Sequence, residues 1–256
     1  MKKRKIIGLD IGGTKITGVL WDGHKALTAL TIPTPKSLVA FKSALINLVL
    51  KLQVTGKVEY LGVGMAGFVD NKRQLVLSSR NLPFINKLSF KSVFKNLGLK
   101  KIIADNDASC FLKAEIVLNQ LKSKNVIGII YGTGVGGAFY LKRKFYRGVN
   151  NLGGEVGRIV INHKLTWEDE FKIYRDKNNY KKLAVLTAQR LAVLVKLFSP
   201  QKVIFGGGVA VNSGSKFLPQ ASKQLKILLK DKRQMPKLTV SRIKHAGAIG
   251  AALLFK

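Results

Sequence analysis

Short apolar runs along the chain end again and again in glycine clusters. Ile6 to Ile11 and Ile16 to Trp21 are two such runs, separated by Gly12-Gly13-Thr14. β-prone residues on both sides of a turn that needs positive φ predict a hairpin. Ala26 to Ile32 adds a third strand, stopped by Pro33 and Pro35, and from Lys36 to Gln53 the spacing becomes helical, with Leu38, Phe41, Leu45, Leu48 and Leu52 on one face. Tyr60 to Gly67 is an apolar strand running into glycine, and Ser79 to Phe84 is a loop, because Pro83 biases Leu82 to extended backbone. Phe90 to Asn96 reads as a short helix closed by Gly98, Lys101 to Ala104 as a strand and Asp107 to Leu121 as a helix. A meander followed by helix and strand predicts helices packed on a mixed sheet.

The second half repeats the theme. Val126 to Tyr131 is a strand that enters Gly132-Thr133-Gly134-Val135-Gly136-Gly137. That run satisfies G-x-G-x-x-G, but a dinucleotide fingerprint must open a helix, whereas Ala138 to Leu141 is strand-like and Lys142-Arg143-Lys144 turns into another strand. A second hairpin is the better reading, and its likeness to the first hints at two related halves. Gly148 to Ile161 sets Glu155 in a glycine-rich loop; Thr166 then caps a helix that begins with three acids, and Lys181 to Leu197 is helical, with Lys177-Asn178-Asn179 leaving open whether one helix or two is formed. Pro200 to Val209 is a third strand entering glycines, now toward a helix, and Phe217 to Leu229 is helical. Lys237 to Val240 is a short strand. Ala246 to Leu254 is a helix of small residues, fit for close packing across a hinge.

Composition narrows the class. The chain has 256 residues, 46% of them hydrophobic, enough for one large or two modest domains. One cysteine, Cys110, excludes an internal disulfide framework and a cysteine-rich zinc site and fits a reducing cytoplasm. The apolar run after the basic N-terminus is broken by Asp10 and Lys15 and lacks a small-residue cleavage site, so neither a signal peptide nor a membrane span is expected. The net charge of +32, from 45 basic and 13 acidic residues, suits a polyanion partner or a uniformly basic proteome equally. The basic residues are spread out, apart from Lys2-Lys3-Arg4-Lys5, with no aromatic-interleaved basic stretch, so no specific nucleic-acid partner is expected.

Two places carry candidate chemistry. Asp10 ends a buried strand beside a glycine turn, where a carboxylate is costly unless a cation meets it; a metal-phosphate complex or a plain hydrogen-bonded hairpin would each satisfy it. Thr14 and Lys15 add a hydroxyl and a positive charge. Asn106 and Asp107 stand at a strand-to-helix junction, where an acid serves as a cap or accepts a hydroxyl proton while Asn106 orients the substrate. Asn81 binds substrate or caps its turn. Glu155 faces a polyhydroxyl ligand or is a surface acid. Gly206-Gly207-Gly208 suits close approach of a flat nucleoside or a phosphate.

Taken in order, Asp10-Ile11-Gly12-Gly13-Thr14-Lys15, Asn106-Asp107-Ala108, Gly132 to Gly137, Gly154-Glu155-Val156-Gly157, Gly206-Gly207-Gly208 and Ala246 to Ala251 resemble the ROK family of sugar kinases in the hexokinase–actin superfamily. The resemblance implies an α/β fold of two ribonuclease-H-like lobes with mixed sheets and an interlobe cleft. The lobes would be 1–105, with 245–256 packed on it, and 106–244. Gly12, Gly13, Thr14 and Lys15 would hold the β- and γ-phosphates of ATP, with Asp10 holding Mg2+ through water. Gly132, Thr133 and Gly134 would form the second phosphate loop, and Gly206, Gly207 and Gly208 would face adenosine. Asp107 matches the catalytic base; Gly67, Asn81, Asn106, Asp107 and Glu155 match sugar-binding positions.

The chain departs from the family pattern in two places. Arg158 stands where members commonly carry a zinc- or sugar-binding histidine, and is placed among the substrate-binding positions; the cysteine-rich zinc loop is missing, so zinc is not expected. Trp167-Glu168 matches the place of a second sugar-binding glutamate, and His163 reads as a loop residue. Leu165 to Asp169, Leu197 to Pro200 and Lys216 to Pro219 look similar to the zinc-free polyphosphate/ATP glucokinases, whereas the second phosphate loop and Asn81-Leu82-Pro83 look closer to ATP-using members. The expectation is a cytoplasmic hexose kinase, glucose first, using ATP or polyphosphate and forming a homodimer. The alternative, prompted by Arg158 and the shortened loop, is a non-catalytic sugar sensor.

Overall fold

The computed structural model describes residues 4–53, 58–162 and 164–256. His163 and the first three residues of the basic N-terminus lie outside them. The chain divides into two compact units, Met1–Gln120 with Ile243–Lys256, and Leu121–Arg242.

The first unit begins with the meander β1 (Ile6–Ile11), β2 (Lys15–Trp21) and β3 (Ala26–Pro33), followed by α1 (Leu38–Leu52). Ser37 caps α1 by accepting from the Ala40 N–H, and the helix buries Phe41, Leu45, Leu48, Val49 and Leu52. Leu38, expected on that face, is exposed because it opens the first turn. Next come β4 (Tyr60–Met65), the hairpin β5 (Phe68–Asp70) and β6 (Leu75–Ser78), α2 (Phe90–Val93), β7 (Lys101–Asn106) and α3 (Asp107–Leu118). The order across the sheet is β3-β2-β1-β4-β7, with the meander antiparallel and β1, β4 and β7 parallel.

The second unit repeats this plan. Its strands are β8 (Val126–Tyr131), β9 (Val135–Leu141) and β10 (Lys144–Tyr146), then β11 (Val160–Asn162) and β12 (Leu165–Thr166). The helices α4 (Trp167–Asp176) and α5 (Tyr180–Phe198) follow, then β13 (Lys202–Gly206), α6 (Gly208–Leu229) and β14 (Lys237–Val240). The main sheet runs β10-β9-β8-β13-β14, again an antiparallel hairpin set beside parallel strands. β8 and β9 pair antiparallel, so the G-x-G-x-x-G run is a hairpin turn.

The chain then returns to the first unit for α7 (Ala246–Ala252). A methyl on Gly8 of β1 would meet the Ala248 carbonyl, one on Gly62 of β4 the Ala251 carbonyl, and one on Gly250 the Cys110 carbonyl of α3. The small residues thus bring a helix against two strands and a second helix inside the first unit. For the same reason the expected boundary after Asp105 falls at Gln120: α3 packs on α7 and β4 and stays with them.

At four places the structure adds to or departs from the sequence reading. The β5–β6 hairpin was not foreseen, because Asn71-Lys72-Arg73 hides a turn in which the Asp70 carboxylate accepts from the Lys72 and Arg73 N–H groups. The helix after Thr166 stops at Asp176, and Asn179 caps a separate one. The sixth helix starts at Gly208, more than two turns before Phe217. The helix at Phe90 ends at Val93.

Candidate active-site elements in each unit

In the first unit β1, β4 and β7 run parallel and side by side, with Asp10 opposite Gly64 and Asn106 opposite Met65, so Asp10 and the Asn106-Asp107 pair share the carboxyl end of one sheet. That is where ligands gather in open α/β sheets. Loss of water around Asp10 pushes its carboxyl up to about 7, with the Asp107 charge adding to the rise and Lys15 opposing it. Gly247 of α7 lies against that carboxylate, and any side chain there would strike it.

Asn106 is the cap of α3. Its Oδ1 accepts from the Ala108 N–H at 2.9 Å and the Ser109 N–H at 3.3 Å, and its Nδ2 donates to the Gly67 carbonyl at 3.2 Å. Asp107 is the first helical residue and also accepts from the Ala108 N–H, at 2.8 Å. Gly67 sits at φ +143°, and a methyl on it would meet the Ser78 carbonyl; glycine is required there.

The first glycine turn closes with the Gly12 N–H donating to the Lys15 carbonyl at 3.0 Å. Its own carbonyls are tied back by side chains from the segment after β3. Thr34 Oγ1 donates to the Gly12 carbonyl at 2.8 Å, and Lys36 Nζ to the Gly13 carbonyl at 3.0 Å. Asn81 lies over the turn: a methyl on Gly13 would be 2.9 Å from the Asn81 Cβ.

The second unit carries the other glycine turn, closed by the Gly132 N–H donating to the Gly134 carbonyl at 3.1 Å. It is held by α4, whose start is a capping box: Thr166 accepts from the Asp169 N–H while the Asp169 carboxylate accepts from the Thr166 N–H. Trp167 Nε1 donates to the Tyr131 hydroxyl at 3.0 Å, that hydroxyl meets Thr187 Oγ1 at 3.0 Å, and Thr187 donates to the Leu183 carbonyl at 2.7 Å. Every member of this buried chain is satisfied, which fixes α4 on the strand that enters the turn. From α4, Glu168 Oε2 accepts from the Val135 N–H at 2.9 Å and Glu168 Oε1 pairs with Lys172 Nζ at 2.7 Å. One turn further on, Arg175 Nη1 donates to the Gly132 carbonyl at 3.2 Å and the Thr133 carbonyl at 2.9 Å.

Residues 6–172 and 173–256 match the ROK family. The chain belongs to the ROK family. It is 33% identical over 176 residues to an N-acetyl-D-glucosamine kinase of Haemophilus influenzae, an alignment covering 66% of this chain and 57% of that one. To a glucokinase of Streptomyces coelicolor it is 32% identical over 155 residues, 60% of this chain and 49% of the relative. The chain therefore spans about half the length of the curated relatives it matches. The crystal structure of a ROK family glucokinase from Streptomyces griseus with glucose and AMPPNP superposes with a TM-score of 0.84 at 25% identity, covering 98% of both chains. The fold is the actin/hexokinase type with mixed sheets.

Against this ROK frame the expected residues fall into separate groups. Asp10, Gly12, Gly13, Thr14, Lys15, Gly67, Asn81, Asn106 and Asp107 all belong to the first unit, and Gly132, Thr133, Gly134 and Glu168 meet in the second. Gly207, at φ +82°, would strike the Tyr131 carbonyl if it bore a methyl, so Gly206-Gly207-Gly208 lies beside the strand that enters the second turn. Glu155 and Arg158 form an exposed ion pair at 2.9 Å. Thr34, Lys36 and Arg175 were missed by sequence reasoning. Arg175 was within reach of it: once Thr166 is taken as the cap, Glu168, Lys172 and Arg175 fall at i, i+4 and i+7 on one face.

Proposed function

We propose that this ROK protein is a sugar kinase that transfers the terminal phosphoryl group of ATP to a hexose hydroxyl, with glucose the first acceptor to test. The observation that carries the proposal is the pair of carboxylates, Asp10 and Asp107, set at one sheet end beside a glycine turn whose carbonyls are tied back. A lone half-buried carboxylate of raised pKa has little structural use; beside a second carboxylate it is the donor set a divalent cation relieves. Asp10 would hold Mg2+ through water, and Mg2+ when bound offsets the charge of the phosphates.

Asp107 is the general base that takes the proton of the attacking sugar hydroxyl, a role worth typically 10²–10⁴-fold. Asn106, its amide already committed to the cap and to Gly67, keeps Asp107 at the first helical position. Gly67 and Asn81 contribute to sugar binding in the first unit, and Glu155 in the second, where Arg158 holds its carboxylate. Glu168 keeps its place among the sugar-binding candidates, although both its oxygens are engaged within the second unit. The turns at Gly12-Gly13-Thr14 and Gly132-Thr133-Gly134 are the donor-phosphate elements, with Lys15 beside the first, and Gly206-Gly207-Gly208 the adenosine element.

The test is a coupled assay at fixed Mg2+ that scans glucose, mannose, fructose, N-acetylglucosamine and N-acetylmannosamine, first with ATP and then with polyphosphate. Turnover of one sugar that is lost in Asp107→Ala, with sugar binding retained, supports the reading. A folded protein that binds sugar yet turns over none with either donor is a sensor, and the kinase reading fails.

A further inference from the structure

The geometry points to Arg175 as the positioning residue of the second donor-phosphate turn, a role that rests on the function proposed above. Aligned from their first strand residues, β1 and β8 set Gly12 against Gly132 and Gly13 against Thr133. In the first unit the two corresponding carbonyls are tied back by two side chains, Thr34 and Lys36. In the second unit both are held by one, since Arg175 Nη1 reaches the Gly132 carbonyl at 3.2 Å and the Thr133 carbonyl at 2.9 Å. Different residues from unrelated segments thus perform the same operation on the same two peptide groups.

The physical consequence follows from peptide planarity. In a trans peptide the N–H points opposite to the C=O. Drawing the Gly132 and Thr133 carbonyls to a guanidinium therefore turns the N–H groups of Thr133 and Gly134 to the far side, the orientation an anion needs from a glycine turn. The guanidinium also brings a positive charge to the two oxygens that would otherwise repel a phosphate. Its own placement is firm: Nε donates to Asp176 Oδ1 at 2.7 Å and the group lies 5.5 Å over the Phe171 ring, which stacks on Tyr131. The side chain is 26% exposed and comes from a helix fixed at its other end by the Trp167-Tyr131-Thr187 chain. Arg175 touches the turn and acts through it.

The test compares Arg175→Ala, Arg175→Met and Arg175→Lys with the wild type in donor and acceptor titrations. Binding of AMPPNP and of inorganic tripolyphosphate is measured by calorimetry, and thermal melting reports on folding. We expect the donor KM to rise about tenfold and kcat to fall about tenfold in Arg175→Ala and Arg175→Met, with the sugar KM within about twofold, because misplaced donor groups lose transition-state contacts. Arg175→Lys should recover part of the donor affinity, since a single ammonium serves one carbonyl, as Lys36 does in the first unit. Unchanged donor constants in a folded variant overturn the assignment. So does an equal loss of donor and sugar affinity, which marks general damage to the unit. A wild type that binds neither AMPPNP nor tripolyphosphate overturns the kinase reading itself, and this assignment with it.

Discussion

Laid side by side, the two glycine hairpins share a skeleton and differ in chemistry. Ile6-Ile7-Gly8-Leu9-Asp10-Ile11-Gly12 and Val126-Ile127-Gly128-Ile129-Ile130-Tyr131-Gly132 agree in both glycines and in nearly every apolar position, and each strand sits at the centre of the same five-strand order. Where the first carries Asp10, the second carries Ile130. The first turn spans Ile11 to Ile16 and the second Tyr131 to Val135, one residue fewer. One repeat has kept a charge that is costly to bury; the other has committed its polar groups to a helix that grips its turn. The difference teaches that two copies of one fold can divide the chemistry between them. On the function proposed above, the first unit would meet a cation and a reacting hydroxyl, while the second holds a backbone shape.

Making the first hairpin like the second is the strongest way to break this contrast. Asp10→Asn keeps the shape and removes the charge, and phosphoryl transfer should fall by about 10³-fold in the coupled assay, within the range that removal of a preorganised charge-stabilising group gives. The metal-free protein should at the same time become more stable. Asp10 titrates at about 7 folded against 3.8 for the ordinary carboxyl, so between those values the native state holds a proton that the unfolded chain has released. Wild-type stability therefore declines as pH rises through that window and stays lowered above it. At pH 8 Asp10→Asn should exceed wild type by about 2–4 kcal/mol in urea unfolding, a gain that vanishes near pH 3. A variant no more stable at pH 8 than at pH 3, relative to wild type, would show that the carboxylate is already compensated.

The second unit should break through its buried charges. Arg190 of α5 is 1% exposed and pairs with Glu170 of α4, while its Nε and Nη1 have no partner among the described residues. Glu170→Ala leaves that guanidinium buried and uncompensated, and about 3–5 kcal/mol of stability should be lost in chemical unfolding. Replacing both residues, Glu170→Leu with Arg190→Met, should return most of it. A double variant as unstable as the single would mean that the pair contributes through packing instead.

Much of this was legible in the sequence, for physical reasons that also mark where reading stops. Ile6 to Trp21 and Val126 to Leu141 carry period and turn chemistry in one short stretch, so both hairpins could be read locally, and Thr166 with Asp169 announced the start of α4. The tethers could not be read in that way. Thr34, Lys36 and Arg175 reach carbonyls 22, 23 and 42 or 43 residues away, and nothing in a backbone oxygen advertises its partner. The placement of α3 with α7 was hidden for a related reason: Gly250 announces close packing but not that its partner is the Cys110 carbonyl of α3. Asp107 stood as cap or general base, with Asn106 orienting the substrate, and the structure gives the cap to Asn106.

The smallest effect should come from the first turn's own tethers, and it sharpens the comparison most. Thr34 is buried and its hydroxyl bond to the Gly12 carbonyl is short, whereas Lys36 is exposed and its bond to the Gly13 carbonyl runs through water-accessible space. Thr34→Val removes one neutral hydrogen bond and leaves a half-buried carbonyl under-satisfied, for about 1 kcal/mol of stability and a donor KM raised a few fold. Lys36→Ala should cost less than about 0.5 kcal/mol, because an exposed partner is readily replaced by water. Since two residues share here what Arg175 does alone, neither single variant should match the loss in Arg175→Ala, and the double variant should approach it. Donor titrations of the three decide the matter: a Thr34→Val effect equal to that of Arg175→Ala would mean that the first turn depends on one tether after all, and the proposed equivalence of the two turns would fall.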